Sequence, residues 1–143
     1  MTKDPRVFLI DDDDAYRHSL RTLLESVRIT VEEFPTAQAF LDRPDHEGPG
    51  CVILDLLMPE MDGLELLEAF GHRLITMPVI VISAHGEIPS AVKSMQLGAV
   101  NFLQKPVNHQ EFLGCVRAAL ADDRLYREQY GNPHGMAERL DSA

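Results

Sequence analysis

Hydrophobic positions along the 143-residue chain follow two alternating periods. Short apolar runs recur at residues 6–10 (RVFLI), 51–54 (CVIL), 78–82 (PVIVI) and 100–103 (VNFL). They are too brief for helices and rich in branched and aromatic side chains, which suits strands covered on both faces. A β-branched, alternating run at 30–34 (TVEEF) adds another strand. Between these runs the apolar residues return at helical spacing. Leu20, Leu23, Leu24 and Val27 mark a helix over 14–27, with Arg17, His18, Arg21 and Glu25 between them. Ala37, Phe40 and Leu41 follow Pro35 and Thr36 as a second helix, and Leu64, Leu67 and Phe70 suggest a third. Ala91, Val92, Met95 and Leu97 form a fourth, closed by Gly98 as a C-cap, and Phe112, Val116 and Leu120 a fifth over 108–121. Residues 43–50 (RPDHEGPG), 56–63 (LLMPEMDG) and 83–89 (SAHGEIP) lack periodicity and read as loops.

A strand followed by a helix, repeated through the chain, implies an α/β fold, because parallel strands need right-handed crossover connections. The pattern fits a doubly wound, five-stranded parallel sheet of order 2-1-3-4-5, the flavodoxin-like arrangement. Sites in such sheets form beyond the carboxyl ends of the strands, here between strands one and three. The residues at those ends are chemical: Asp11 and Asp12 after strand one, Asp55 after strand three, Ser83 after strand four and Lys105 after strand five. Four aspartates in a row at 11–14 repel one another unless a cation offsets them, although acids at this point also cap a helix. Oxygen ligands of this kind suit Mg²⁺, and with charge so offset Asp55 is the candidate nucleophile toward a phosphoryl group. Asp13 and Asp14 are better explained as the start of the first helix.

Composition narrows the function classes. A net charge of −10 and a pI near 4.9 oppose direct nucleic-acid binding by this stretch, which would need clustered Lys and Arg. No apolar run reaches the roughly 20 residues of a membrane span, and the start MTKDPR lacks a signal-peptide core, so a cytoplasmic protein is expected. Cys51 and Cys115 have no metal or redox spacing and read as buried, reduced thiols. His18, His46, His72, His109 and His134 also lack metal spacing, and Met58, Met61, Met77 and Met95 read as core and loop filling.

IDDDD at the first strand end, ILDLLMPEMDG around the third, VIVISA at the fourth and FLQKP at the fifth together resemble the receiver domain of bacterial two-component response regulators. The resemblance covers residues 6 to 121 and implies a CheY-like fold. It implies that Asp55 is the phosphoacceptor, charged by a sensor histidine kinase. It also implies that Asp11, Asp12, Asp55 and the main-chain carbonyl of Leu57 hold Mg²⁺, and that Lys105 contacts a phosphoryl oxygen. Ser83 and Phe102 match the hydroxyl and aromatic switch positions, and Pro106 would follow a cis peptide bond. The stretch ISAHGEIPSAV is similar to FixJ-like regulators, which carry a LuxR-type DNA-binding output. Homodimerisation of the phosphorylated form through helix four, strand five and helix five is implied in the same way. Leu57 and His85 occupy the two positions that tune acyl-phosphate hydrolysis; Leu57 cannot orient a water, so loss of phosphate should be slow.

The domain is thus read as residues 1–121, with 122–143 as a helix extension and linker. Helix five is expected to extend to about Tyr130 before the break at GNPHG. Either the protein is a stand-alone receiver acting by protein–protein interaction, or the sequence ends within the linker to a transcriptional output domain; the linker composition and the FixJ-like loop favour the second. A haloacid-dehalogenase-type phosphatase would also use an aspartyl phosphate, with Asp11 and Asp13 as its DxD pair, but Ala15 departs from that pattern. A flavodoxin-like cofactor carrier is disfavoured, since aspartates stand where a flavin phosphate would bind.

Overall fold

In the computed structural model, residues 5–43, 49–56, 58, 63–72, 77–84 and 88–130 are described. The elements run β1 (Arg6–Ile10), α1 (Asp14–Ser26), β2 (Thr30–Phe34), α2 (Ala37–Asp42), β3 (Gly50–Asp55), α3 (Gly63–His72), β4 (Val79–Ser83), α4 (Ile88–Gln96), β5 (Asn101–Gln104) and α5 (His109–Tyr130). All strand pairs are parallel, as the alternation of strands and helices predicts, and their order is β2-β1-β3-β4-β5, the flavodoxin-like order expected. Ile10 pairs with Leu54, Asp55 with Ile82 and Ser83 with Gln104. This register brings the carboxyl ends of the central strands level with one another.

Period-two alternation sends neighbouring strand residues to opposite faces. Phe8, Ile10, Val52, Leu54 and Val81 pack with Phe40, Leu66 and Phe70 from α2 and α3. Val7, Leu9, Ile53, Ile80 and Ile82 pack with Leu20, Leu24, Phe112 and Val116 from α1 and α5. Phe40 organises the first face: its ring lies edge-on to Phe8 and Phe34 at 5.8 and 5.2 Å between centroids, and 5.4 Å from Phe70. The second face, between two long helices, forms the support beneath the strand ends.

Capping follows the local chemistry. The Asp13 carboxylate accepts from the Tyr16 N–H and starts α1, and Thr36 does the same for Ala39 at the start of α2. Gly98 adopts φ +108 after α4, a conformation that glycine reaches without a Cβ clash.

Three features differ from the sequence reading. First, α4 begins at Ile88, with Pro89 inside its first turn rather than in the preceding loop, because the missing amide of proline costs nothing there. Second, Val92 and Met95 point outward from α4, about half exposed. Among the described side chains of that helix the fully buried one is Ser94, whose hydroxyl donates to the Ser90 carbonyl at 2.8 Å and so tolerates the interior. Third, Cys51 is buried but Cys115 only partly so, and its sulfur accepts from Asn101 Nδ2; both thiols are free. Burial, then the nearby Asp123 charge, pushes the Cys51 thiol up to about 12.

Helix α5 runs unbroken through 22 residues, past the boundary placed at 121. Its extension is anchored by Asp123, which is buried and accepts from the Gly50 amide at 2.9 Å and from Arg127 Nε at 2.8 Å. Glycine is required at position 50, since a Cβ there would lie 2.3 Å from the Arg6 carbonyl oxygen. Replacing Asp123 by Ala leaves a buried amide and the Arg127 guanidinium without their acceptor and should cost about 2–3 kcal/mol. Urea denaturation checks this, and an unchanged midpoint would refute the anchoring role.

Candidate functional site

The site is assembled from strand ends. Asp11 follows β1 and is fully buried; Asp55 closes β3 and is 5% exposed; Ser83 closes β4 and is 1% exposed. Asp12, one residue further on, is exposed. Carboxylate oxygens of Asp11, Asp12 and Asp55 lie within 4.8 Å of one another. Lys105, from beyond β5, reaches across the end of β4 to place its ammonium 2.7 Å from Asp11 Oδ2 and 3.2 Å from Asp55 Oδ2. The sheet order makes a long cationic side chain necessary, because β4 separates β3 from β5.

Electrostatically the cluster is charge-paired. Burial by itself would lower the Lys105 pKa, but the bonds and charges of Asp11 and then Asp55 outweigh it and hold the ammonium above the ordinary lysine range. Asp11 Oδ1 also accepts from the Asp13 N–H at 2.9 Å, which orients that carboxylate within the loop. The Lys105 N–H donates to the Ser83 carbonyl at 2.8 Å, and the Leu56 N–H to the Ile82 carbonyl at 3.3 Å, so the loops leaving β3 and β5 are both tied to β4. The Lys105–Pro106 peptide is cis. Phe102 pairs with Val81 and is half-buried against the first core face. Leu57 and His85 lie outside the described residues.

This arrangement gathers Asp11, Asp12, Asp55, Ser83 and Lys105 at one end of the sheet, while Asp13 is spent as a helix cap. Residues 7–117 match the family model described as the response regulator receiver domain. The chain is a response regulator receiver domain. Its receiver sequence is 39% identical to the response regulator protein TodT of Pseudomonas putida over 92% of this chain and 57% of that protein. It is 46% identical to the transcriptional regulatory protein FixJ of Azorhizobium caulinodans over 80% of this chain and 54% of that one. The chain therefore spans little more than half the length of these curated relatives. A solved structure of FixJ-N superposes with a TM-score of 0.76 at 35% identity, covering 85% of this receiver and 96% of that chain. The family role is that of a phosphoacceptor signalling domain, and the FixJ-like assignment stands.

Sequence reasoning missed how the first turn of α1 braces this receiver site. Arg17, placed among the outward charges of α1, has a side chain only 11% exposed. It donates to the Asp11 carbonyl at 2.6 Å, to Glu33 Oε1 at 3.1 Å and to Asp14 Oδ1 at 2.8 Å, pinning the acidic loop to α1 and β2. Arg21 adds a second bond to Glu33 at 2.6 Å. Tyr16, beside Arg17, lies under the Lys105 ammonium, 4.7 Å from Nζ to the ring centroid. The available signal was position: a residue in the first turn of a helix that follows a site strand faces the strand ends.

Burial would raise the Glu33 pKa, but the bonds from Arg21 and Arg17 prevail and hold it below the usual glutamate range. Its stabilising contribution is therefore complete above the unfolded value of about 4.3 and disappears as pH falls through the lower folded value. Glu33→Gln should destabilise the receiver at pH 7, and the gap to wild type should narrow on acidification below about pH 4. Urea midpoints across that range test the sign; a gap independent of pH would contradict it.

Proposed function

We propose that this receiver accepts a phosphoryl group on Asp55 from a phosphohistidine of a sensor kinase. The observation that carries the reading is the buried Asp55 carboxylate, paired with Lys105 beside two further acids at the strand ends. An Asp55 oxygen attacks phosphorus as the bond to the donor nitrogen breaks, and the departing imidazole recovers a proton. Lys105 then has a phosphoryl oxygen to contact in place of a bare carboxylate, and the Ser83 hydroxyl is the group assigned to turn toward it, with Phe102 following inward.

Three converging carboxylates, one of them solvent-exposed so that a bound cation could keep waters in its coordination sphere, fit a hard divalent cation. We assign Mg²⁺ to Asp11, Asp12, Asp55 and the Leu57 carbonyl. When bound, Mg²⁺ offsets charge on the phosphoryl oxygens. The receiver's own residues provide the rest: Asp55 is the nucleophile, Asp11 holds Lys105 in reserve, and the loop gripped by Arg17 holds Asp11 and Asp12 in register.

Residues 1–121 are assigned as the receiver and 122–143 as a helix extension and linker to a transcriptional output domain. The unbroken α5 and the similarity to FixJ support that reading. The outward Val92 and Met95 on α4 support homodimerisation of the phosphorylated form through α4, β5 and α5. A cytoplasmic location fits this role. The phosphatase alternative loses support because Asp13, the second acid of its DxD pair, is occupied as the α1 cap.

Incubation with acetyl phosphate and Mg²⁺, followed by intact-mass measurement, should give a single phosphoryl adduct on wild type and none on Asp55→Asn. An adduct on both proteins alike would overturn the assignment. With Leu57 unable to position a water, the adduct should decay slowly in a kinase-free sample, and rapid loss would count against that part.

A further inference from the structure

We propose that Tyr16 is a positioning residue for phosphoryl transfer, holding both the Lys105 ammonium and the loop that carries it. The inference rests on the phosphoacceptor reading above and deepens it. Lys105 is a flexible side chain with two carboxylate partners at unequal distance, 2.7 Å to Asp11 and 3.2 Å to Asp55. Left to these alone, the ammonium can settle on the nearer acid, Asp11, and be withdrawn from the reacting centre. Tyr16 supplies a third electronegative surface, the face of its ring 4.7 Å from Nζ, in a place where Lys105 is largely withheld from water.

The same side chain also controls the backbone. The Tyr16 hydroxyl accepts from the Val107 N–H at 3.0 Å, two residues past Lys105 and 91 away from Tyr16 in sequence. The neighbouring Asn108 carboxamide accepts from the Glu111 N–H, so the Tyr16 contact falls where the β5–α5 loop enters α5. At its own backbone, Tyr16 is fixed by the bond from its N–H to Asp13 Oδ1. One residue therefore links the acidic loop, the lysine and the loop after the lysine. An aliphatic side chain would fill much of the same space against the second core face, but it would offer neither a ring face to the cation nor an acceptor to Val107.

The comparison of Tyr16→Phe, which keeps the ring, with Tyr16→Leu, which keeps only apolar bulk, separates positioning from packing. With acetyl phosphate and Mg²⁺, Tyr16→Leu should form the Asp55 adduct about tenfold more slowly than wild type, and Tyr16→Phe should recover to within about threefold. A folded Tyr16→Leu protein that matches the wild-type rate would overturn the proposal; a Phe variant as slow as the Leu variant would overturn the ring's part in holding the ammonium, and a Phe variant equal to wild type the hydroxyl's part in holding the loop. A second measurement needs no phosphodonor: the Lys105 ε-methylene resonances, assigned with Lys105→Arg, should be shifted upfield by the ring in wild type and Tyr16→Phe. Wild-type resonances at unshifted lysine positions would overturn the proposal even if Tyr16→Leu fails to fold. Failure of wild type to gain an adduct on Asp55 would instead overturn the phosphoacceptor reading, with the ring contact still decided by the resonances.

Discussion

The pairing of Lys105 with Asp11 and Asp55 is the interaction on which the functional end of this receiver depends. Two buried carboxylates beside a third acid would repel strongly in a poorly solvated site, and a single unpaired buried charge is costly. The parallel register forces the problem, because it sets the ends of β1 and β3 side by side. It also supplies the solution at a distance, from β5, so only a side chain as long as lysine can cross β4 to reach both acids. Ser83 sits at the end of the strand it crosses, which is why a hydroxyl on β4 belongs to the same centre.

Around that pair the first helix acts as a brace. Arg17 takes the carbonyl of Asp11 and shares Glu33 with Arg21, so the acidic loop is held from α1 and β2 together, while Tyr16 holds the lysine from below. Such contacts add to the stability of the fold, but their larger effect is geometric: they keep the carboxylates and the ammonium in one arrangement, which would lower the reorganisation required by the proposed phosphoryl transfer.

The opposite end of the sheet is built for a different purpose. There Asp123 joins α5 to the first residue of β3, the strand whose last residue is Asp55. The extension of α5 thus leaves the domain from a defined base rather than fraying from it. The α4 surface, with its serine inward and its Val92 and Met95 outward, leaves apolar area available on the flank between the two ends.

Much of this was legible in the chain, for a physical reason. A strand buried on both faces appears as a continuous apolar run, and the polar residue that stops it marks the carboxyl end of the sheet; Asp11, Asp55 and Ser83 each announce themselves this way, while Lys105 stands one residue past the end of the more exposed β5. The parallel, doubly wound sheet followed from handed crossovers and the strand–helix repeat, whereas its 2-1-3-4-5 order, which gathers these residues, is one that the repeat allows and the family resemblance implies. What the sequence could not disclose were contacts that depend on how helices dock. Arg17 looks like any outward charge on an amphipathic helix, Asp123 like part of a polar tail, and Val92 and Met95 like core. Each was decided by which helix face met the sheet, and that choice is made by packing among elements distant in sequence, which local periodicity does not encode.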